Sequence, residues 1–352
     1  MTTDPVSAPP AADNGRRQRL VDHHAMMWRI RAFERAAEAG LADGQVAGAV
    51  HMSIGQEAVA AGVSAHLIKA DVIASTHRGH GHSIAKGADL HGMMLELYGR
   101  AGGSCAGKGG SMHIADFDVG MLGANGVVGA GLPIAVGAAQ GLRLLGRNAI
   151  AVCYFGDGAA NRGPFLESLN WAAVFRLPVL FVCEDNNWSA TTRTATMSAG
   201  PGIAARAEAL GVPAVSIDGN DVEAVDETAG RLIADIRAGG GPRLLHARTY
   251  RLKGHTVTDP APYRPAEEVA ARWEDDPIAR NAAELKALGL DEDEIAAIEA
   301  AETRRIADVV AAALAAPFPE TAAAFDDVQD VGRPVPGAER GLAHPLSAEH
   351  LA

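Results

Sequence analysis

The 352-residue chain has only three cysteines, Cys105, Cys153 and Cys183, and no paired spacing among them, which excludes a disulfide framework. Two of the three lie in apolar, strand-like runs, where a thiol is an ordinary small core residue, so a reducing compartment is expected. No stretch approaches the roughly 20 consecutive apolar residues of a membrane helix. The first residues hold Pro, Ala and Asp without an apolar run, a pattern of neither a signal peptide nor an Arg- and Ser-rich transit peptide. Clustered Lys and Arg are missing as well. The net charge is −12 at pH 7, and no basic stripe is present to neutralise nucleic-acid phosphates. A cytoplasmic protein with neither a nucleic-acid nor a membrane partner is expected. Gly-x-x-x-x-Gly-Lys-Ser/Thr does not occur, nor does Gly-x-Gly-x-x-Gly at a first strand–helix turn, which argues against a P-loop phosphotransferase or a dinucleotide binder. No internal repeat is visible.

What is present is a long, regular alternation. The length allows a large core in one or two domains. Leu20, His24, Met27, Ile30, Phe33 and Ala37 recur at three or four residues, the period of a helix over residues 17–40. Further helices are expected at 56–67 and 89–98, and a short strand at 71–75. A glycine-dense stretch over 99–131 follows, too long for an idle connection. From Leu132 onwards helices alternate with strands at 149–155, 179–183, 214–217 and 243–247, and helices at about 266–273, 277–288 and 291–315 close the chain. The expected class is α/β, a mostly parallel sheet with helices on both faces and a helical C-terminal segment. Residues 1–15 are expected to be a flexible arm, 16–316 the folded domain and 317–352 a Pro- and Ala-rich tail.

Two strand ends draw attention. Asp157 follows the apolar run Ile150 to Phe155 and is flanked by Gly156 and Gly158, which let the backbone approach a ligand closely. Gly-Asp-Gly alone is equally a turn signal. The next apolar run, Val179 to Cys183, ends in Glu184-Asp185-Asn186-Asn187, more polar groups than a turn requires. Asp157 and Asn186, 29 residues apart, thus stand at the carboxyl ends of two strands of one β-α-β unit, where open α/β sheets bind ligands. A carboxylate and a carboxamide there can share a magnesium ion that carries a diphosphate.

Five motifs extend this reading: His77-Arg78-Gly79-His80-Gly81-His82, Gly107-Lys108-Gly109-Gly110-Ser111-Met112-His113, Gly123 to Gly129, Gly156-Asp157-Gly158-Ala159-Ala160-Asn161, and Tyr250 to Pro260. Over about residues 24–273 the chain resembles, in these motifs and their order, the alpha subunits of thiamine-diphosphate-dependent 2-oxo acid dehydrogenases and acetoin dehydrogenases. The resemblance implies the thiamine-diphosphate-binding fold, with thiamine diphosphate and Mg2+ as cofactors. Asp157, Asn186 and the Trp188 carbonyl would be metal ligands. Arg78, Arg251 and His77 would hold the diphosphate, assisted by backbone amides at Gly158 and Ala159. Main-chain groups of Gly126 and Val128 would meet the aminopyrimidine ring. His51, His80 and His255 would line the route to the reactive carbon as catalytic residues.

The resemblance also implies partners. A beta subunit would supply the glutamate that activates the pyrimidine ring, in an α2β2 heterotetramer, and a lipoyl-bearing dihydrolipoyl acyltransferase would accept the acyl group. The substrate is expected to be a 2-oxo acid, pyruvate first, with acetoin or a branched-chain 2-oxo acid as alternatives and an inactive scaffold subunit as the non-enzyme alternative. His82, His91 and His113 are expected to be ordinary structural residues, Lys108 a loop charge, and Asn161 a tie within the metal loop. Three departures stand out. His77 replaces a frequent Tyr, Asp185 stands where relatives carry Asn, and small Ser189 and Ala190 follow Trp188, which leaves the support of the bent cofactor open.

Overall fold

The computed structural model describes residues 11–326. Its elements in chain order are α1 (Ala11–Ala42), α2 (Glu57–Ser64), β1 (Val72–Ala74), α3 (His80–Lys86), α4 (Leu90–Leu97), β2 (Met121–Gly123), α5 (Gly131–Leu144) and β3 (Ala151–Gly156). They continue with α6 (Gly163–Val174), β4 (Val179–Asp185), β5 (Trp188–Ser189), β6 (Thr192–Arg193), α7 (Thr194–Met197), α8 (Ile203–Ala209), β7 (Ala214–Asp218) and α9 (Val222–Arg237). The last are β8 (Arg243–Arg248), α10 (Ala266–Trp273), α11 (Pro277–Ala287) and α12 (Glu292–Ala315).

Six strands form one sheet in the order β2-β1-β3-β4-β8-β7, and every pairing in it is parallel. The β3 and β4 runs are apolar throughout because both faces are covered. Cys153, Phe155, Phe181 and Cys183 pack into the cluster beneath α5, α6 and α8. Val152, Tyr154, Leu180 and Val182 face the opposite cluster, with Val59 and Val63 of α2 and Val225 and Leu232 of α9. This period-2 partition fixes the register, since a one-residue slip would exchange the two faces. A separate helical core joins Ile30 and Phe33 of α1, Met93 and Leu97 of α4, and Ile306 and Ala313 of α12.

Most expected elements lie where the hydrophobic period placed them. The first helix starts earlier: residues 11–15, expected in the arm, belong to α1. One reason is tertiary. Arg16 reaches Glu223 at 2.5 Å and Glu284 at 3.1 Å, partners more than 200 residues away that local composition cannot reveal. The glycine-dense stretch contains strand β2, whose three residues are held by β1. Helix α3 and the β5–β6 hairpin were likewise not expected. The remainder of the expected arm and of the tail, residues 1–10 and 327–352, lies outside the described residues. Residues 319–326 belong to a second unit, which holds one 3-10 turn at Thr321–Phe325. No described helix is long and apolar enough to cross a membrane.

Candidate active site

Parallel strands point their carboxyl ends the same way, and five of them open onto one cleft of about 200 Å³. The chain after β1 supplies His77 and Arg78, and the chain after β2 supplies Gly126 and Val128. Asp157, Gly158 and Ala159 follow β3, Asn186 and Trp188 follow β4, and Arg251 and His255 follow β8; His51 joins them from the segment before α2. Of the catalytic, cofactor-binding and metal-binding residues expected from the sequence, only His80 is absent from this lining.

At one end the cleft holds charged groups that form no ion pair among the described residues. Asp157 is buried, and its carboxylate accepts a hydrogen bond from the Thr194 hydroxyl. Burial, reinforced by nearby Asp185, pushes its pKa up to about 6 against the opposing effect of that hydrogen bond. Asn186 donates from Nδ2 to Gln56 Oε1 at 3.0 Å and accepts from the Trp188 amide at 3.2 Å, so its oxygen is fixed on the side of its own tip. The Trp188 carbonyl is reached by Arg251 Nη1 at 3.5 Å.

Two guanidiniums, both buried, complete this end. Arg78 donates to the carbonyls of Met52 at 2.7 Å and His255 at 2.8 Å. Arg251 donates to the Ala190 carbonyl and to the Tyr263 hydroxyl, each at 3.0 Å, and its Nε has no partner among the described residues. Burial, followed by repulsion from Arg251, brings Arg78 down to about 9. Arg251 is also lowered, chiefly by burial. Buried charges normally pair; these form hydrogen bonds but no ion pair with a carboxylate among the described residues. A divalent cation beside Asp157 and an anion with several oxygens between the guanidiniums would satisfy both needs. The donor set therefore fits a metal–diphosphate group.

The flanking glycines have different uses. A Cβ on Gly156 would meet nothing within 4 Å, so the cleft is open there, whereas a Cβ on Gly158 would lie 2.2 Å from Ser189 Oγ. Gly158 is thus required by the hairpin as well as available to a ligand. Asn161 donates to Ser198 Oγ at 2.8 Å and accepts from Arg206 at 2.6 Å, the tie expected of it.

Three imidazoles occupy the other end. His51 lies 4.7 Å from His77 and 4.9 Å from His255, ring centre to ring centre, and His77 is 5.7 Å from His255. Burial first, then Arg78, lowers His51 and His255 to about 4 and His77 to about 2. All three are neutral at pH 7. Arg78 Nη2 stands 3.1 Å and Arg251 Nη1 3.4 Å from His255 Nδ1. Guanidiniums only donate, so Nδ1 accepts and the proton of the neutral ring sits on Nε2.

His80 needs correction. Its Nδ1 lies 2.9 Å from Glu34 Oε2 and its Nε2 2.9 Å from Ser111 Oγ, so both nitrogens are occupied and the ring is wholly buried against Phe33. It is a tie between elements, not a cleft residue. His82 is structural as expected, stacked on Tyr154 at 3.8 Å and bonded to Ser75 and Glu184. Sequence reasoning missed Gln56, Thr194 and Tyr263, which orient Asn186, Asp157 and Arg251, and no local pattern marks them. Asp259, inside the Tyr250 to Pro260 motif but given no role there, accepts from the His255 amide.

Comparison with known proteins agrees with this geometry. Residues 25–322 match the family described as dehydrogenase E1 component. The chain belongs to that family. It is 44% identical over 302 residues, 86% of this chain and 91% of the relative, to the alpha subunit of the acetoin:2,6-dichlorophenolindophenol oxidoreductase of Bacillus subtilis. The corresponding subunit of Cupriavidus necator is 47% identical over 253 residues, 72% of this chain and 76% of the relative. The pyruvate dehydrogenase E1 component subunit alpha of Rhizobium meliloti is 38% identical over 301 residues, 85% of this chain and 86% of the relative. This dehydrogenase E1 component is accordingly a thiamine-diphosphate-dependent oxidoreductase subunit of the alpha type, and the family implies a beta-subunit partner.

Proposed function

We propose that this E1 alpha chain holds thiamine diphosphate through Mg2+ at Asp157, Asn186 and the Trp188 carbonyl, and breaks the bond next to the carbonyl group of a 2-oxo acid, pyruvate first. The observation that carries the reading is the pairing of a buried carboxylate lacking a cation with two buried guanidiniums lacking carboxylates, on adjoining strand ends. Arg78 and Arg251 grip the diphosphate oxygens with planar, forked donors. Bound there, thiamine diphosphate supplies the carbon nucleophile that adds to the substrate carbonyl.

This chain's own residues do the rest. His255 presents Nε2–H to the oxygen of the reacting carbonyl, and neutral His51 beside it can take up or return a proton. His77 fills the place between them and the diphosphate. Met112, Val127 and Val128 give the cleft an apolar wall. Gly126 and Val128 offer main-chain groups to the pyrimidine ring.

The second reading, acetoin cleavage, rests on a specific observation: identity is 44% and 47% to the two acetoin relatives and 38% to the Rhizobium pyruvate relative. Both reactions use the residues just named. The beta subunit seats on exposed apolar side chains of α5, of the residue that follows it and of α6, among them Leu144, Leu145, Leu166 and Trp171. A lipoyl group on an acyltransferase is the acyl acceptor. Co-expression with a beta subunit, followed by reduction of an artificial acceptor with pyruvate, branched-chain 2-oxo acids and acetoin, tests the proposal. Turnover that needs both chains, Mg2+ and thiamine diphosphate supports it, and the preferred substrate separates the readings. No turnover of any of them by an assembled, cofactor-saturated enzyme overturns it.

A further inference from the structure

Glu96 lies at the end of α4, outside the cleft, and is 1% exposed. Its carboxylate accepts four backbone N–H groups from a single loop. Oε2 takes the amides of Cys105 and Gly107, both at 2.8 Å. Oε1 takes those of Gly109 at 2.7 Å and Gly110 at 3.0 Å. Four donors match the lone-pair capacity of a carboxylate, so the loop is wrapped around the charge. The wrapping explains part of the glycine content. A Cβ on Gly103 would lie 2.5 Å from Glu96 Oε2, and Gly107 and Gly110 adopt φ of +73° and +66°, where other residues are strained.

The next residues carry this order to the cleft. Ser111 joins His80, and His80 joins Glu34, which accepts from Ser53 N at 2.8 Å and Ser53 Oγ at 2.7 Å. Between these two fastenings and the open cleft stands Met112, whose sulfur lies 3.8 Å from the place a Cβ would occupy on Gly126. Met112 and Gly126 both line the cleft.

We infer that Glu96 is a positioning residue for the ring-binding half of the cleft: by holding residues 105–110 it sets Ser111 and Met112 against Gly126, and it does nothing for the diphosphate half. The inference rests on the thiamine diphosphate reading above. In Glu96→Gln, one oxygen remains and an NH2 group faces two of the four loop amides, donor against donor.

Two measurements on the assembly with its beta subunit test this. Calorimetry compares thiamine diphosphate, which needs both halves, with magnesium pyrophosphate, which needs only the charged one. Glu96→Gln and Ser111→Ala are expected to weaken thiamine diphosphate at least tenfold and fivefold, respectively, and to leave magnesium pyrophosphate within twofold. Equal weakening of both ligands, the mark of general destabilisation, or of neither, overturns the inference. Hydrogen exchange, read without any ligand, is expected to show at least tenfold faster exchange of the amides of residues 105–110 in Glu96→Gln, with the β3 and β4 amides unchanged. Unchanged exchange in the loop also overturns it. If the wild-type assembly binds no thiamine diphosphate, the cofactor reading fails, while the exchange result still decides the role of Glu96.

Discussion

The two ends of the cleft solve opposite electrostatic problems. At the strand tips, Asp157, Arg78 and Arg251 are buried and have no ion-pair partners among the described residues. A few ångströms away, His51, His77 and His255 are held neutral by the same guanidiniums and the same burial. One set of positive charges thus does two things. On the proposed reading it receives an anion at one end, and together with burial it lowers the imidazoles at the other. A charged end built this way spends stability on binding, while a neutral end stays free to exchange protons.

Substitutions that separate the ends test the contrast. Asp157→Ala removes the only carboxylate among the proposed ligands and should weaken magnesium-dependent thiamine diphosphate binding by roughly 10³-fold or more, in line with the cost of leaving buried charges unpaired. Calorimetry on the reconstituted assembly reads this, and an unchanged affinity removes the metal assignment. His255→Ala should keep the cofactor but slow turnover by about 10²-fold, the range of a positioned proton donor. Full activity with the lipoyl acceptor would take that role from it. Away from both ends, Trp171→Glu on the exposed face of α6 should weaken assembly with the beta subunit by about tenfold and leave the thermal midpoint of the isolated chain unchanged. Sedimentation velocity distinguishes the two.

The smallest expected effect is a pH dependence. Each of the three histidines is lowered from an ordinary 6.5, so below that pH the unfolded chain binds protons that the folded chain refuses. The histidine contribution to stability should therefore be complete above about pH 6.5 and fall as the pH drops toward 4, by up to about 1.4 kcal/mol per pH unit for each histidine. It is offset in part below about pH 6 by the raised carboxyl of Asp157, whose effect has the opposite sign. Denaturant unfolding at a series of pH values measures the slope. His77→Phe should flatten it, and an identical slope in that variant would show that burial and Arg78 do not hold this ring neutral.

How much of this was legible before any coordinates follows from range. Strands β3 and β4 were readable because a doubly covered strand must be apolar along its whole length, and Asp157 and Asn186 because polar groups then interrupt such runs abruptly. The motif resemblance brought Arg78, Arg251 and His255 to the same place. His80 was misread for the opposite reason. Inside its motif it looks like its neighbours, and only Glu34, 46 residues earlier, and Ser111, 31 residues later, show that both its nitrogens are already used. Glu96 was invisible because a helical glutamate looks like any solvated charge until its four amide donors are seen. The start of α1 depended on Glu223 and Glu284, so composition alone placed residues 11–15 in the arm.

The central claim, that the tips of β3 and β4 hold the divalent cation of the cofactor, is tested most directly by a crystal of the assembly grown with thiamine diphosphate and Mn2+ in place of Mg2+. The account predicts one anomalous peak between Asp157 and Asn186, with diphosphate density running from it to Arg78 and Arg251. A peak instead among His51, His77 and His255, whose ligand atoms all lie within 4.8 Å of one another, or no peak at the tips with the cofactor in place, would contradict it.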